Sequence, residues 1–218
     1  RVHTGMQGLG GYLHTPEMGV WGCADVHRGV LPEINLDALL VVARDNRGGH
    51  VSPLLLEKLA RTRCGYDVAR WGHALPYPPE SVGGPMVALT NQFAGSDGDI
   101  FSHFFKVYRL GPLVGKRTWG GVVGISPRHP LVDGTVTTQP EFSTWANDVG
   151  WGLENYGTDP DYDIDIAPQD AAAGRDPQLD KATELILASL APHAPHVPAF
   201  SQAPQLPLPT AAPRRTPL

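Results

Sequence analysis

The sequence predicts an α/β fold in which helices pack on a mostly parallel sheet, and three observations carry that expectation. Ala38-Leu39-Leu40-Val41-Val42-Ala43 and Met86-Val87-Ala88-Leu89 are continuous apolar runs. Such runs mark strands buried on both faces. Each is followed by a glycine-containing turn and then a helix-period segment. Alternation of strands and helices implies right-handed crossovers and a layered core. The chain has 218 residues, 41% of them hydrophobic, which is enough for one core of ordinary size.

The elements follow in order. Gly11–His14 is a short strand stopped by Thr15-Pro16. A helix spans about Ala24 to Leu31, ending before Pro32. After the strand at 38–43, Asn46-Arg47-Gly48-Gly49-His50 forms a loop, and Ser52-Pro53 opens a helix to about Ala60 with Leu54, Leu55, Leu56 and Leu59 as its apolar face. Residues 64–84 are loop-like and rich in proline and aromatics. The strand at 85–90 leads through a small-residue turn into a helix from about Ser96 to Tyr108. Its Phe101, Phe104, Phe105 and Tyr108 fall at i, i+3, i+4 and i+7, one helical stripe. Pro112–Gly115 is a third strand, and 122–138 suggests hairpin-like strands. Asp176-Pro177 places Asp at N-cap and Pro at N1 of a last helix, to about Leu190. Residues 192–218 hold eight prolines among Ala, Gln and Thr and read as a disordered tail. The division is therefore a folded domain at 1–191 and a tail at 192–218.

Composition excludes several classes. A net charge of −5 argues against nucleic acid as a partner bound through its phosphates. No apolar run approaches the roughly 20 residues of a spanning helix, so no membrane partner is expected. Two cysteines, Cys23 and Cys64, make no disulfide scaffold and fit a reducing compartment. The start, Arg1-Val2-His3-Thr4-Gly5, has neither an initiator Met nor an apolar leader, and reads as part of something longer.

Chemistry concentrates at Gly95-Ser96-Asp97-Gly98-Asp99. A serine at the start of a helix sits among unpaired N–H groups near the positive end of the dipole. That environment suits a nucleophile, because the next amide can hold an oxyanion. It equally suits a plain N-cap serine, and local sequence leaves both readings open. The Gly48-Gly49 loop also links a buried strand to a helix. Neighbouring parallel strands would bring both loops to the carboxyl ends of the sheet, where α/β folds place ligands. The loop lacks the Gly-Lys-Ser/Thr ending of a phosphate loop.

Four motifs occur together: Asn46-Arg47-Gly48-Gly49, Gly95-Ser96-Asp97-Gly98-Asp99-Ile100-Phe101, Gly115-Lys116-Arg117-Thr118-Trp119-Gly120-Gly121, and Gly150-Trp151-Gly152-Leu153-Glu154-Asn155-Tyr156-Gly157-Thr158-Asp159-Pro160. Over residues 8–190 this order and spacing resembles the tail-specific serine peptidases, specifically the catalytic half of the tricorn branch. The resemblance implies the α/β sandwich shared with Clp peptidase and crotonase folds. It implies Ser96 as nucleophile, the N–H groups of Gly49 and Asp97 as oxyanion hole, Glu154 as the acid supporting the charge relay, and Asp67 as the residue favouring basic side chains before the scissile bond. It further implies cytoplasmic peptides as substrates, no metal or other cofactor, and a homo-oligomer, a hexamer by resemblance.

The chain departs from the family in its base. The bacterial branch carries a lysine in a Gly-Lys-Gly where this chain has Gly120-Gly121, and Lys116 does not match it. The tricorn branch uses a histidine preceded by serine, upstream of the present segment. His103 lies seven residues past Ser96 on one helix, about 10 Å along the axis, too far for direct contact. His50, beside the glycine loop, is the internal alternative. The expected function is thus a serine endopeptidase domain whose base lies outside this chain. The rivals are an inactive fragment or pseudoenzyme that binds peptides, a crotonase-like acyl-CoA enzyme, and a proline-tail adaptor. Asp161, Asp163 and Asp165 read as a charged edge strand rather than a calcium site. Cys23 and His27 share a helical face without a second ligand pair, so zinc is not expected. Trp71, Trp119, Trp145 and Trp151 read as core or loop anchors, with a place in the wall of a peptide cleft as the alternative for some of them.

Overall fold

The computed structural model describes residues 2–33, 35–126, 128–193, 195 and 197–202. Its elements are α1 (Val2–Gly5), β1 (Gly10–His14), α2 (Val20–Glu33), β2 (Ala38–Val42), α3 (Ser52–Leu59), β3 (Gly65–Asp67), β4 (Leu75–Tyr77), β5 (Met86–Thr90), α4 (Asp97–Val107), β6 (Leu113–Gly115), β7 (Gly124–Ser126), β8 (Gln139–Phe142), β9 (Tyr162–Asp163), α5 (Pro168–Ala172) and α6 (Pro177–His193).

The apolar runs fold as their lack of polar residues requires. The central sheet has the order β1-β2-β5-β6-β9, and every pair in it is parallel. All five residues of β2 and all five of β5 are buried. Alternate side chains point to opposite faces. Leu39, Val41 and Ala88 face Val26 and Val30 of α2, Leu55, Leu56 and Leu59 of α3, and Phe101 and Phe105 of α4. Leu40, Val42, Val87, Leu89 and Val114 face Leu179, Ala182, Ile186 and Leu190 of α6, with Met6 beside them. The result is a three-layer α/β/α sandwich. Each fully buried Leu or Phe contributes roughly 1.5–3 kcal/mol of transfer free energy, so the two apolar faces hold the layers together.

Several elements differ from the sequence expectation. Leu54 on α3 and Tyr108 at the C-cap of α4 are exposed, while Leu55, Leu56, Leu59, Phe101 and Phe105 are buried. Helix α2 begins at Val20 and carries Pro32 in its last turn. Its start is fixed by Glu17, whose carboxylate accepts the N–H groups of Gly19 and Gly22. The 64–84 stretch contains an antiparallel hairpin, β3–β4. The hairpin expected at 122–138 pairs β7 with β8 and so reaches Phe142. Asp176 caps α6 as expected, accepting the Leu179 N–H at 3.0 Å and pairing with Arg44 at 2.8 Å. Helix α6 runs on to His193, and a 3-10 turn at Phe200–Gln202 sets Phe200 edge-on to Tyr66, ring centroids 5.4 Å apart. The remainder of the expected tail, 203–218, lies outside the described residues. No described helix is long and apolar enough to cross a membrane.

Candidate active site

Strands β1, β2, β5 and β6 are parallel, so the loops that follow them emerge at one end of the sheet. There the two glycine bends meet. A Cβ placed on Gly48 would stand 2.6 Å from Ser96 Cβ and 3.1 Å from the Asp97 nitrogen, so only glycine lets the β2–α3 loop lie against the β5–α4 turn. Gly48 itself has φ +97°.

Ser96 is not a plain N-cap. Its backbone sits at φ 54°, ψ −118°, and its side chain makes no capping hydrogen bond. A non-glycine residue in such a region costs on the order of 1–3 kcal/mol and persists only where its surroundings over-determine it. The surroundings do so here. The Ser96 N–H donates to Gly121 O at 2.9 Å, the Ser96 carbonyl accepts the Ile100 N–H at 3.1 Å, and the Gly95 N–H donates to Asn46 O at 2.8 Å. A strained serine on a strand-to-helix turn has its hydroxyl held off the backbone and open to substrate.

The two amides expected as oxyanion donors are available. Among the described residues neither the Gly49 N–H nor the Asp97 N–H donates to another protein group. Asp97 is the first residue of α4, so its amide carries part of the positive helix end. The flanking groups are committed elsewhere: Gly48 O accepts the Met18 N–H at 2.8 Å, and Met18 O accepts the His50 and Val51 N–H groups. Ser96, Gly49 and Asp97 line one cleft of about 540 Å³, with Ile100, Phe104 and Phe142 as its apolar wall.

Three residues whose roles the sequence did not disclose hold this geometry. Asn46 is fully buried. Its Nδ2 donates to Thr15 O at 2.6 Å and its Oδ1 accepts the Gly48 N–H at 2.8 Å, so the side chain ties the end of β1 to the glycine loop, while its main-chain carbonyl holds the Gly95 N–H of the nucleophile turn. The Asp97 carboxylate accepts the Ser52 N–H at 2.9 Å and the Ser52 hydroxyl, fastening α3 to α4. Asp99 accepts the Gly120 N–H at 2.8 Å and thereby fixes the loop whose Gly121 carbonyl receives the Ser96 N–H. Burial raises the Asp99 pKa above the usual carboxylate value, and the nearby Glu154 charge adds to the rise.

The other sequence candidates fall elsewhere. Glu154 Oε2 accepts the N–H groups of Val122 and Val123 at 2.8 and 2.6 Å. It therefore shapes the cleft through Val122 rather than lining it. Asp67 stands at the end of β3, opposite Leu75. That hairpin leaves from the end of α3 and is rooted near Arg63 and Tyr77, toward the amino-terminal end of the sheet, and none of its residues lines the Ser96 cleft. Lys116 pairs with Asp163 at 2.6 Å, and this partner raises its pKa, the reverse of what a neutral lysine base requires. His103 Nε2 lies 3.0 Å from Asp148. His50 lines the cleft, yet no described histidine hydrogen-bonds to Ser96. The four tryptophans named from sequence are all exposed, not core; Trp145 and Trp151 stack edge to face, and Trp119 lies against Gly95 and Gly121. Asp163 lies in the edge strand β9, and Asp161 pairs with Lys106 at 3.0 Å. His27 Nδ1 contacts Lys58 Nζ at 2.7 Å.

The profile of peptidase family S41 matches residues 11–164. This chain belongs to peptidase family S41. Within that family it is 51% identical over 189 residues to the tricorn protease of Thermoplasma acidophilum, and 50% identical over 189 residues to tricorn protease homolog 1 of Streptomyces coelicolor. Each alignment covers 87% of this chain and 18% of the relative, so the chain spans about a fifth of the length of these relatives. The crystal structure of the tricorn protease superposes with TM-score 0.85 at 50% identity, over 87% of this chain and 19% of that one. Mature CPAF, at 15% identity, shares the fold with TM-score 0.64 over 83% of this chain and 51% of that one. The S41 domain is of the serine peptidase type, and its fold is the α/β sandwich of that family.

Proposed function

We propose that this chain is the catalytic domain of a serine endopeptidase acting on cytoplasmic peptides, with Ser96 as nucleophile. The observation that carries the reading is the strained Ser96 backbone beside two amides with no acceptor among the described residues. Ser96 Oγ adds to the scissile carbonyl, and the resulting oxyanion takes hydrogen bonds from the Gly49 and Asp97 N–H groups. Collapse forms an acyl-serine ester and expels the amine, which leaves with the proton taken from the serine. Water then adds to the ester and restores the hydroxyl. By the family resemblance Glu154 supports the relay, from behind the cleft wall where its Oε2 also holds the Val122 and Val123 N–H groups. The base is the histidine that the tricorn branch places upstream of this segment, with His50 as the alternative inside the cleft. Peptide lies extended, adding to a sheet edge. No metal takes part in these steps.

The parent protein assembles as a homo-oligomer, a hexamer by resemblance. Asp67 bears on this. Its hairpin leaves the opposite end of the sheet from Ser96, so Asp67 selects basic side chains only in the cleft of a second copy. The hairpin's exposed Trp71, Val68 and Leu75 suit such a contact. A substitution at Trp71 that disrupts this contact between copies should then lower the preference for basic residues as much as Asp67→Asn does.

The test of the main reading is covalent labelling of the full-length parent with a fluorophosphonate. Labelling abolished by Ser96→Ala supports it, and labelling that survives removes Ser96 as nucleophile. General-base assistance is typically worth ~10²–10⁴, so the isolated chain should hydrolyse peptides at least about a hundredfold slower than its parent. The absence of a histidine partner for Ser96 among the described residues favours one second reading, a fragment that binds peptides without cleaving them. Equal rates from chain and parent would exclude a base outside the chain.

A further inference from the structure

Beside the Ser96 cleft lies a second cavity, of about 420 Å³, lined by Asp45, Arg47, Gln92, Phe93 and Trp119. Arg47 lines both cavities. Its guanidinium makes no hydrogen bond or ion pair among the described residues. The other charged group on the wall, Asp45, is committed to the scaffold: its Oδ1 accepts Asn91 Nδ2 at 3.0 Å, and its N–H donates to Asn91 Oδ1 at 2.9 Å. Phe93 and Trp119 are exposed, 62% and 69%. Both are fastened to the nucleophile turn. Phe93 N–H donates to Asn91 Oδ1, and Trp119 N–H donates to Ala94 O at 2.9 Å. The Trp119 ring lies so close over Gly95 that a Cβ there would stand 2.6 Å from it.

A cation with no partner among the described residues, sharing a cavity with two exposed aromatic rings and next to the Gly48 bend that abuts the nucleophile turn, is a receptor for a group with an apolar body and a negative end. We propose that Arg47, Phe93 and Trp119 form a second substrate subsite that takes an apolar peptide side chain together with a carboxylate. Substrate crossing Ser96 places residues on one flank in the cleft walled by Ile100, Phe104 and Phe142. Residues on the other flank lie on Trp119 and Phe93, where a carboxylate meets Arg47. The planar guanidinium forms paired charge-assisted hydrogen bonds with a carboxylate. The carboxylate is that of an acidic side chain or of the free end of a short peptide, and the two are chemically alike at this site. The subsite rests on the peptidase reading for its position along the substrate, but binding to it does not require turnover.

The experiment uses the full-length protein and matched fluorogenic peptides that differ only in Asp against Asn, or in a free C-terminus against its amide, at successive positions on each side of the scissile bond. Wild type should favour the carboxylate form about tenfold in kcat/KM in at least one arm, and the arm identifies the source. Arg47→Met should bring that ratio close to one, Arg47→Lys should keep part of it, and Trp119→Ala should reduce the preference for Phe over Ala at the adjacent position. The same peptide pairs are measured by fluorescence anisotropy on the Ser96→Ala protein. This reads the subsite even if hydrolysis fails, whereas loss of fluorophosphonate labelling addresses Ser96 alone. A ratio of one in wild type in both arms, or ratios unaltered by Arg47→Met, overturns the proposal.

Discussion

Gly48→Ala tests the convergence of the two bends directly. The added methyl would stand 2.6 Å from Ser96 Cβ, and ordinary contact begins at 3.4 Å. The bends must therefore separate by about 0.8 Å. The neighbours at 3.1 Å are the Asp97 nitrogen and the Gly95 carbonyl, which are backbone and cannot swing aside. A misplacement of about 1 Å in a catalytic constellation costs on the order of 10²-fold in rate. Stability falls too: roughly 1–2 kcal/mol for a β-carbon at positive φ and about 1–3 kcal/mol for overpacking. Gly134→Ala is the matched control. Gly134 has φ +83° with nothing within 4 Å of the added atom, so it reports backbone strain without a clash. The assay is the second-order rate of fluorophosphonate labelling at Ser96, normalised to folded protein. Gly48→Ala should be slower by about a hundredfold and Gly134→Ala unchanged. Labelling of Gly48→Ala at the wild-type rate would refute the claim that the loops touch at the nucleophile.

Three further outcomes are expected. Asn46→Ala leaves Thr15 O and the Gly48 N–H buried without partners, at about 1–3 kcal/mol each, so urea unfolding should show a loss of roughly 2–6 kcal/mol together with slower labelling. Asp99 binds its proton more tightly folded than unfolded, so the protein loses stability as pH rises from the ordinary 3.8 through its raised pKa, and is flat in this component above it. Asp99→Asn should remove that slope in midpoints measured across the same range while keeping an acceptor for Gly120. Leu40→Ala, in the core remote from the cleft, should cost about 2–5 kcal/mol while the folded fraction labels at the wild-type rate.

How much of this was legible in the sequence depends on how far each residue's partner lies. β2 and β5 declared themselves because strands buried on both faces need no polar residue, and the glycine bends because they adjoin those runs. The β3–β4 hairpin escaped notice: its strands are three residues long, Pro76 interrupts the pattern, and no alternation marks a buried face. Asn46 was visible as a polar loop residue, but its acceptor is Thr15, 31 positions earlier. Glu154 stands out in its motif only as a carboxylate, because its donors at Val122 and Val123 lie across 32 and 31 positions. Trp119 carries no period that distinguishes an exposed ring beside a catalytic turn from a core anchor.

The loops after β1, β2, β5 and β6 share one end of the sheet, while the apolar contacts that keep the layers together run down its length. Robustness and reactivity are thus laid out along a single axis. Engineering for heat tolerance has free ground at the lower rim, around Leu59, Val82 and Leu110, and changes of specificity have theirs at the upper rim, with little need for either campaign to undo the other's gains.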